Sequence, residues 1–293
     1  MLLFGIGLAY LIHHKQELHF ISQISLSDVA ILSAIVIILS FCNGLQLKII
    51  TDHYDLNLTF SQWFGISRAN ALANLWLPLS GATPLKAMYL KQFHQMRISS
   101  FIAAMGVTQL LVIALNSGFA MMLLIIFGGG ANVFLFATIG AIFLGALFFL
   151  FLMPNFSLNL FPFLRYLENI RSEWGEIRGD SKTIKSLILL NAFIFCLRNF
   201  SIIVAFKAFS LDVSFATAGL IASLTTISGT LNLIPGNFGV GEALILAVSG
   251  IRGIGINEGL HVAALLRVIV SIWTFALAPL FSRELLRKSN AAE

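Results

Sequence analysis

Long apolar runs alternate with short polar breaks along most of the chain. Because unpaired backbone groups are not tolerated in lipid, runs of about 20 apolar residues must be helices. Five runs predict complete membrane spans: residues 28–50, 98–127, 131–153, 184–209 and 258–281. Residues 1–12 add a short first helix, so the pattern predicts about six full spans.

Two further apolar segments are interrupted by proline and glycine. Residues 58–96 break near 78–81, and residues 213–250 break near 235–239. Proline ends a helix because it lacks the backbone N–H and clashes with the preceding turn. Each segment therefore predicts a broken helical hairpin, either re-entrant or made of two crossings.

Residues 154–183 form a long polar connector. Its apolar residues recur at helical spacing with charges between them: Leu164, Leu167, Ile170, Trp174 and Ile177. This pattern is typical of an amphipathic helix. Such a helix lies either on the membrane surface or against the bundle, and the pattern allows both.

The distribution of basic residues predicts the topology. Basic clusters occur around 86–97, in the connector and in the carboxyl tail. Lysine and arginine are enriched in the short cytoplasmic loops of membrane proteins. All three are cytoplasmic if each broken segment returns to the side it entered. The chain then reads as one all-α integral membrane domain over 1–293. It consists of a first half (1–153), the cytoplasmic connector 154–183 and a second half (184–293), related as an inverted repeat.

Composition supports a membrane protein and excludes several functions. The chain is 58% hydrophobic and only 11% charged, whereas soluble domains carry about 25% charged residues. The net charge of +5 is scattered, so we expect no nucleic-acid partner. The two cysteines, Cys42 and Cys196, lie in apolar runs, and the histidines lack ligand spacing. We therefore predict no metal, no cofactor and no catalytic residues. An intramembrane enzyme acting on lipid phosphates would need clustered Asp, His or Cys.

Four ionisable residues fall deep in apolar sequence: Arg68, Arg198, Glu242 and Arg267. A charge at mid-membrane costs roughly 2.5–3.5 kcal/mol, so each should face a partner or a wet cavity. Three arginines to one glutamate suit a phosphate ligand, because the guanidinium fork matches phosphate geometry. Alternatively, Glu242 pairs with Arg198 or Arg267 and locks the bundle.

Paired broken segments in corresponding positions of two halves are typical of transporters that bind substrate near the membrane midplane. The two breaks echo one another in sequence, since 74–78 reads NLWLP and 232–235 reads NLIP. The alternative is that proline and glycine merely kink packed helices.

Residues 231–243 resemble the Pro-Gly-Gly-x-Gly-x-x-Glu signature of the lysylphosphatidylglycerol synthase transmembrane family, with Asn237 in place of the second glycine. Residues 250–267 are similar to the glycine-rich turn and arginine-bearing last span of that family. Residues 70–90 are similar to its Asn-x-x-x-Pro-x-x-Gly segment, with Ala82 and Lys86 where an acid and an arginine often stand. The resemblance covers roughly residues 28–285. It implies a domain that moves a phospholipid or a polyprenyl-linked lipid between leaflets.

We therefore predict a non-enzymatic, flippase-like transporter in the cell membrane. Its substrate would be an anionic or aminoacylated phospholipid, or a polyprenyl-linked lipid. The alternative is a non-catalytic subunit that positions a partner lipid synthase or glycosyltransferase. The expected partners are lipids with phosphate headgroups, and the sequence leaves oligomerisation open. The candidate substrate-binding residues are Arg68, Asn74, Pro78, Gly81, Lys86, Arg198, Pro235, Gly236, Asn237, Gly239, Glu242 and Arg267.

Overall fold

The computed structural model describes residues 24–77, 82–127, 133–152 and 162–289, and these residues are almost entirely helical. The ten α-helices of the described residues are α1 Leu26–His53, α2 Phe60–Asn74, α3 Thr83–His94, α4 Ile98–Phe127, α5 Val133–Leu147, α6 Pro162–Gly179, α7 Ser181–Lys207, α8 Phe215–Leu231, α9 Val240–Ile251 and α10 Ile256–Ser289. A π-helical turn, Phe148–Leu152, extends α5.

Five helices of the described part are long and apolar enough to cross a membrane: α1, α4, α5 with its π-turn, α7 and α10. They correspond to the five complete runs of the sequence. The prediction of an all-α, multi-pass membrane protein is therefore confirmed. The short first helix predicted over 1–12 lies outside the described residues.

Side chains cap the helices that start at the membrane edge. The hydroxyl of Ser25 accepts a hydrogen bond from the Asp28 amide at α1, at 3.1 Å. Ser214 accepts one from the Thr217 amide at α8, at 3.2 Å. Each cap satisfies a backbone donor that has no partner inside the helix. The local sequence therefore sets where these helices begin.

The broken segments are two helical hairpins, the first formed by α2 and α3 and the second by α8 and α9. Their arms have 15, 12, 17 and 12 residues. At 1.5 Å per residue the arms are roughly 18–26 Å long, shorter than the hydrocarbon core of about 30 Å. No single arm can span the bilayer unaided. The predicted break at 78–81 lies outside the described residues.

The two hairpins meet at their tips. The Asn232 side-chain amide donates to the carbonyl oxygen of Leu77 at 3.1 Å. A Cβ atom on Gly236 would lie 3.3 Å from Cδ2 of Leu75. The residues that follow α2 and the turn that follows α8, far apart in sequence, therefore contact each other.

Helix packing relates the two halves in a reciprocal way. The first arm of the first hairpin, α2, packs on α10, the last span of the second half. The first arm of the second hairpin, α8, packs on α4, the span that follows the first hairpin. The leading spans α1 and α7 pack on each other. The first arm of each hairpin thus packs on the span that follows the other hairpin.

The connector helix α6 packs against the bundle. The side chains of Ile170, Trp174 and Ile177 are buried in a cluster that includes Ile50 of α1 and residues of α4. The amphipathic pattern allowed a helix on the membrane surface or a helix packed against the bundle, and the structure has the second. The side chains of Leu164 and Leu167 lie outside the described part.

Polar contacts tie the end of α1 to α6 and α7. The Tyr54 hydroxyl donates to Glu173, and burial together with this hydrogen bond raises the pKa of Tyr54. His53 Nδ1 lies 3.0 Å from Asp180, the N-cap of α7. Hydrogen bonds from Thr183 and from His53 hold the pKa of Asp180 well below its usual range.

Candidate functional site

The second break is closed by Glu242, the third residue of α9. One carboxylate oxygen accepts the Gly239 amide at 2.9 Å, which caps the helix. The other accepts Nε of Arg267 at 2.5 Å. An acid at this position also complements the positive end of the helix dipole. Glu242 is therefore engaged on both oxygens.

Arg267 projects from α10 into the turn before α9. Its terminal nitrogens donate to the carbonyl oxygens of Gly236 at 2.9 Å and Asn237 at 3.2 Å. Its guanidinium lies 4.5 Å from the centroid of the Phe238 ring. All three guanidinium nitrogens are hydrogen-bonded, so Arg267 clamps the turn. Of the structural pairings left open by the sequence, that between Glu242 and Arg267 is present.

The turn itself needs residues that adopt positive φ. Gly236, Asn237 and Gly239 have φ values of 64°, 53° and 81°. Glycine and asparagine adopt this region most readily. Asn237 also donates to the Ser228 hydroxyl of α8 at 3.0 Å. Pro235 begins the short 3₁₀ turn that these residues form.

A polar cavity of about 300 Å³ lies inside the bundle, enclosed by α1, α2, α3, α4, α7 and α8. We call it the cationic cavity because Arg68, Lys86 and Arg198 line it. The other polar lining residues are Asn43, Gln46, Ser67, Asn70, Asn74, Thr83, Thr108, Gln109, Asn191, Thr225, Thr226 and Thr230. No aspartate or glutamate is found among the described residues of the lining.

Arg68 is the most deeply buried of the three cations, with 4% of its surface exposed. Two of its nitrogens donate to the hydroxyls of Ser40 at 2.7 Å and Ser67 at 3.3 Å. Its Nε is buried without a hydrogen-bond partner. Neutral hydroxyls orient this guanidinium but leave its charge uncompensated.

Arg198 and Lys86 are partly buried, and neither forms a salt bridge with a described residue. Nε of Arg198 is buried without a partner, as are the amide oxygens of Asn70 and Asn74. Nine buried side-chain polar atoms in the described part lack partners, and four belong to this lining. Since such atoms are costly to bury without a partner, water or a polar ligand in the cavity would satisfy them.

A second cavity of about 370 Å³ lies beside the first. We call it the hairpin cavity because Gly236, Asn237, Glu242 and Arg267 of the second break line it. It shares Ala71, Asn74, Arg198, Thr225 and Gly229 with the cationic cavity. Arg198 is thus the cation that faces both cavities.

The candidate residues therefore fall into two groups. Arg68, Asn74, Lys86 and Arg198 come together around the cationic cavity. The candidates of the second break form its turn and clamp: Pro235, Gly236, Asn237, Gly239, Glu242 and Arg267. Pro78 and Gly81 lie outside the described residues. The role of each residue in substrate binding stays a prediction.

Several polar lining residues were missed by sequence reasoning. Asn43 and Gln46 of α1 lie three residues apart inside an apolar span, and Asn191 of α7 receives a hydrogen bond from Gln46 at 2.9 Å. Thr108 and Gln109 interrupt α4 in the same way. The signal was available, because polar residues at helical spacing in a span should face protein or water rather than lipid.

No group of three or more His, Cys, Asp or Glu in the described part could hold a metal ion. The polar side chains that line the cationic cavity are cations, amides and hydroxyls. Such groups bind and orient an anion by charge-assisted hydrogen bonds.

Comparison with known proteins identifies one family. Neither the curated proteins nor the solved structures gave a match. A family model described as the lysylphosphatidylglycerol synthase transmembrane region matches residues 2–278, which includes both hairpins and both cavities. The chain therefore belongs to the family of the lysylphosphatidylglycerol synthase transmembrane region.

Proposed function

We propose that this chain is a flippase-like transporter that moves a lipid with a phosphate-bearing headgroup between membrane leaflets. The candidate substrates are an anionic or aminoacylated phospholipid and a polyprenyl-linked lipid. The observation that carries the proposal is the cationic cavity, where Arg68, Lys86 and Arg198 converge without a carboxylate among the described lining residues.

The cost of these charges supports the proposal. A cation deep in the membrane costs roughly 2.5–3.5 kcal/mol. Arg68 and Arg198 lie in apolar sequence without an acidic partner among the described residues, so a ligand that balances their charge would offset this cost. A lipid headgroup that enters the cavity would supply the missing negative charge. The volume of the cavity, about 300 Å³, lies at the lower end of the range for small-molecule sites.

The reciprocal packing of the halves supports an inverted repeat. We take α1, α2, α3 and α4 of the first half as equivalent to α7, α8, α9 and α10 of the second. The contact of α2 with α10 is then equivalent to the contact of α8 with α4. In the same way, the contact of α3 with α4 is equivalent to the contact of α9 with α10. Inverted repeats place their binding site where the broken helices meet, and movement of one half against the other alternates access.

Membrane orientation follows from the basic residues. Lysine and arginine residues recur in the connector 154–183 and after residue 281, and both segments are proposed to be cytoplasmic. The first hairpin then opens from the cytoplasmic side and the second from the opposite side.

The proposal is tested by leaflet transfer in vesicles that contain the purified chain. Fluorescent phosphatidylglycerol and fluorescent phosphatidic acid are tested separately, and each is protected from dithionite in the inner leaflet until it is transferred. We expect Arg198→Gln to slow transfer at least roughly tenfold, since a charge-assisted hydrogen bond is worth about 1.5–3 kcal/mol. Lys207→Gln, at the exposed end of the same helix, is the matched control and should transfer at the wild-type rate.

Equal transfer of both lipids by wild-type vesicles and protein-free vesicles would contradict the proposal. Equal transfer by wild type and Arg198→Gln would show that the cationic cavity does not take part in transport. Folding of each variant is checked by its elution as a single species in detergent.

A further inference from the structure

We propose that the cationic cavity selects a headgroup with a terminal phosphate monoester or diphosphate, and that it rejects zwitterionic and aminoacylated headgroups. This inference rests on the proposed transport of lipids and specifies the substrate class. It is carried by how charges are distributed between the two cavities.

The first observation is that three cations face one small space without an acidic partner among the described residues. None of the described salt bridges involves Arg68, Lys86 or Arg198. A phosphodiester supplies one negative charge, whereas a monoester or diphosphate supplies about two or more near neutral pH. Only the more highly charged groups come close to balancing the cavity.

The second observation is that the carboxylate found among the described lining residues is already paired with a cation. Among the described residues that line the two cavities, Glu242 is the only carboxylate. Its two oxygens already accept Arg267 and the Gly239 amide. An ammonium group in a lysyl, alanyl or choline headgroup would therefore enter beside unpaired cations, and like charges at close range repel.

The third observation comes from equivalent positions in the two hairpins. Arg267 stands 11 residues after the first residue of α10, and Gln109 stands 11 residues after the first residue of α4. Glu242 lies in the first turn of α9, and Lys86 in the first turn of α3. The second hairpin is thus closed by an internal acid–arginine pair. The first has a lysine near the position of the acid, and a bound anion would take the place of the missing carboxylate.

The experiment uses the full chain in detergent and three probes: dodecyl phosphate, dodecylphosphocholine and inorganic pyrophosphate. Binding is measured by titration calorimetry at constant ionic strength. We expect dodecyl phosphate to bind at least tenfold more tightly than dodecylphosphocholine. Lys86→Gln and Arg198→Gln should each weaken dodecyl phosphate binding roughly ten- to hundredfold, the effect of one charge-assisted hydrogen bond.

Matched controls separate the site from general surface charge. Lys91→Gln removes an exposed cation from the same helix as Lys86, and Lys207→Gln removes one from the helix of Arg198. Both should bind dodecyl phosphate as wild type does. The partly buried Lys86 and Arg198 are chosen because replacing the fully buried Arg68 could unfold the protein.

Equal binding of dodecyl phosphate and dodecylphosphocholine would overturn the selectivity. Pyrophosphate binding as tight as that of dodecyl phosphate would assign the cavity to a soluble anion and overturn the lipid headgroup. Transfer of an aminoacylated phospholipid that is unaffected by Lys86→Gln would also overturn the inference, while the transport proposal would stand. Selective dodecyl phosphate binding without leaflet transfer of any lipid would leave the anion site in place and refute transport.

Discussion

At the residue scale, small side chains set how closely the helices of the two halves approach. Gly219 of α8 faces α4 and α7 at a crossing where a Cβ atom would lie 2.4 Å from Cδ1 of Leu123 and 2.9 Å from Nδ2 of Asn199. Small residues permit such close helix contacts in membranes, where van der Waals packing drives association. The glycine therefore fixes the position of the second hairpin against the first half.

We expect Gly219→Ala to destabilise the protein by about 1–3 kcal/mol, the usual cost of overpacking a close contact. The measurement is the thermal unfolding midpoint in detergent. Gly229→Ala on the same helix is the control, because its nearest neighbouring atom would lie at an ordinary 3.9 Å. An equal loss of stability in both variants would contradict close packing at Gly219.

At the element scale, the second hairpin depends on a clamp from outside itself. Arg267 of α10 contacts Glu242 and two carbonyl oxygens of the preceding turn. Without it, the carbonyl oxygens of Gly236 and Asn237 would lose these hydrogen bonds and Glu242 would lose its ion pair. Neither arm of the hairpin contains a lysine or an arginine.

We expect Arg267→Gln to lower the free energy of unfolding by about 1–3 kcal/mol, because it leaves Glu242 and the turn carbonyls underpartnered. Arg267→Lys should recover less than half of this loss, since a lysine keeps the charge but lacks the planar fork. The measurement is again thermal unfolding in detergent, with Arg252→Gln at the end of α9 as the control. Full recovery by lysine would show that charge alone matters.

At the scale of the whole molecule, the meeting of the hairpin tips gives the proposed transporter a defined moving contact. Asn232 and Leu77 come from opposite halves, and among the described residues one hydrogen bond joins the tips. A single bond of this kind contributes only about 0.5–1.5 kcal/mol, so the tips can part without loss of the bundle.

We expect a disulfide between Leu77→Cys and Asn232→Cys to stop leaflet transfer, and reduction to restore it. The pair is placed in a background where Cys42 and Cys196 are replaced by alanine. Each single-cysteine variant is a control, and Asn232→Cys alone measures the cost of a cysteine at a φ of 42°. Undiminished transfer by the cross-linked protein would show that the tips do not separate during transport.

Much of the architecture could be predicted from the sequence, because lipid permits few backbone solutions. The apolar runs located the five spans that the structure describes, and proline and glycine located the second break at residues 235–239. The polar residues that line the cationic cavity were harder to predict from the sequence. Residues such as Asn43, Gln46 and Asn191 are single interruptions of long apolar runs, and only their shared helix faces reveal them.

The sequence by itself determined which residues carry charge in apolar segments and that each of them needs a partner or a cavity, because an unpaired charge at mid-membrane costs roughly 2.5–3.5 kcal/mol. It did not determine the partners. Arg198 and Arg267 are both deep arginines, and Glu242 could have paired with either. The packing of α9 on α10 gives the glutamate to Arg267, and the packing of α7 on α1 and α8 leaves Arg198 facing both cavities. Only the tertiary structure could decide this, because ion pairing depends on distances across helices that sequence spacing does not encode.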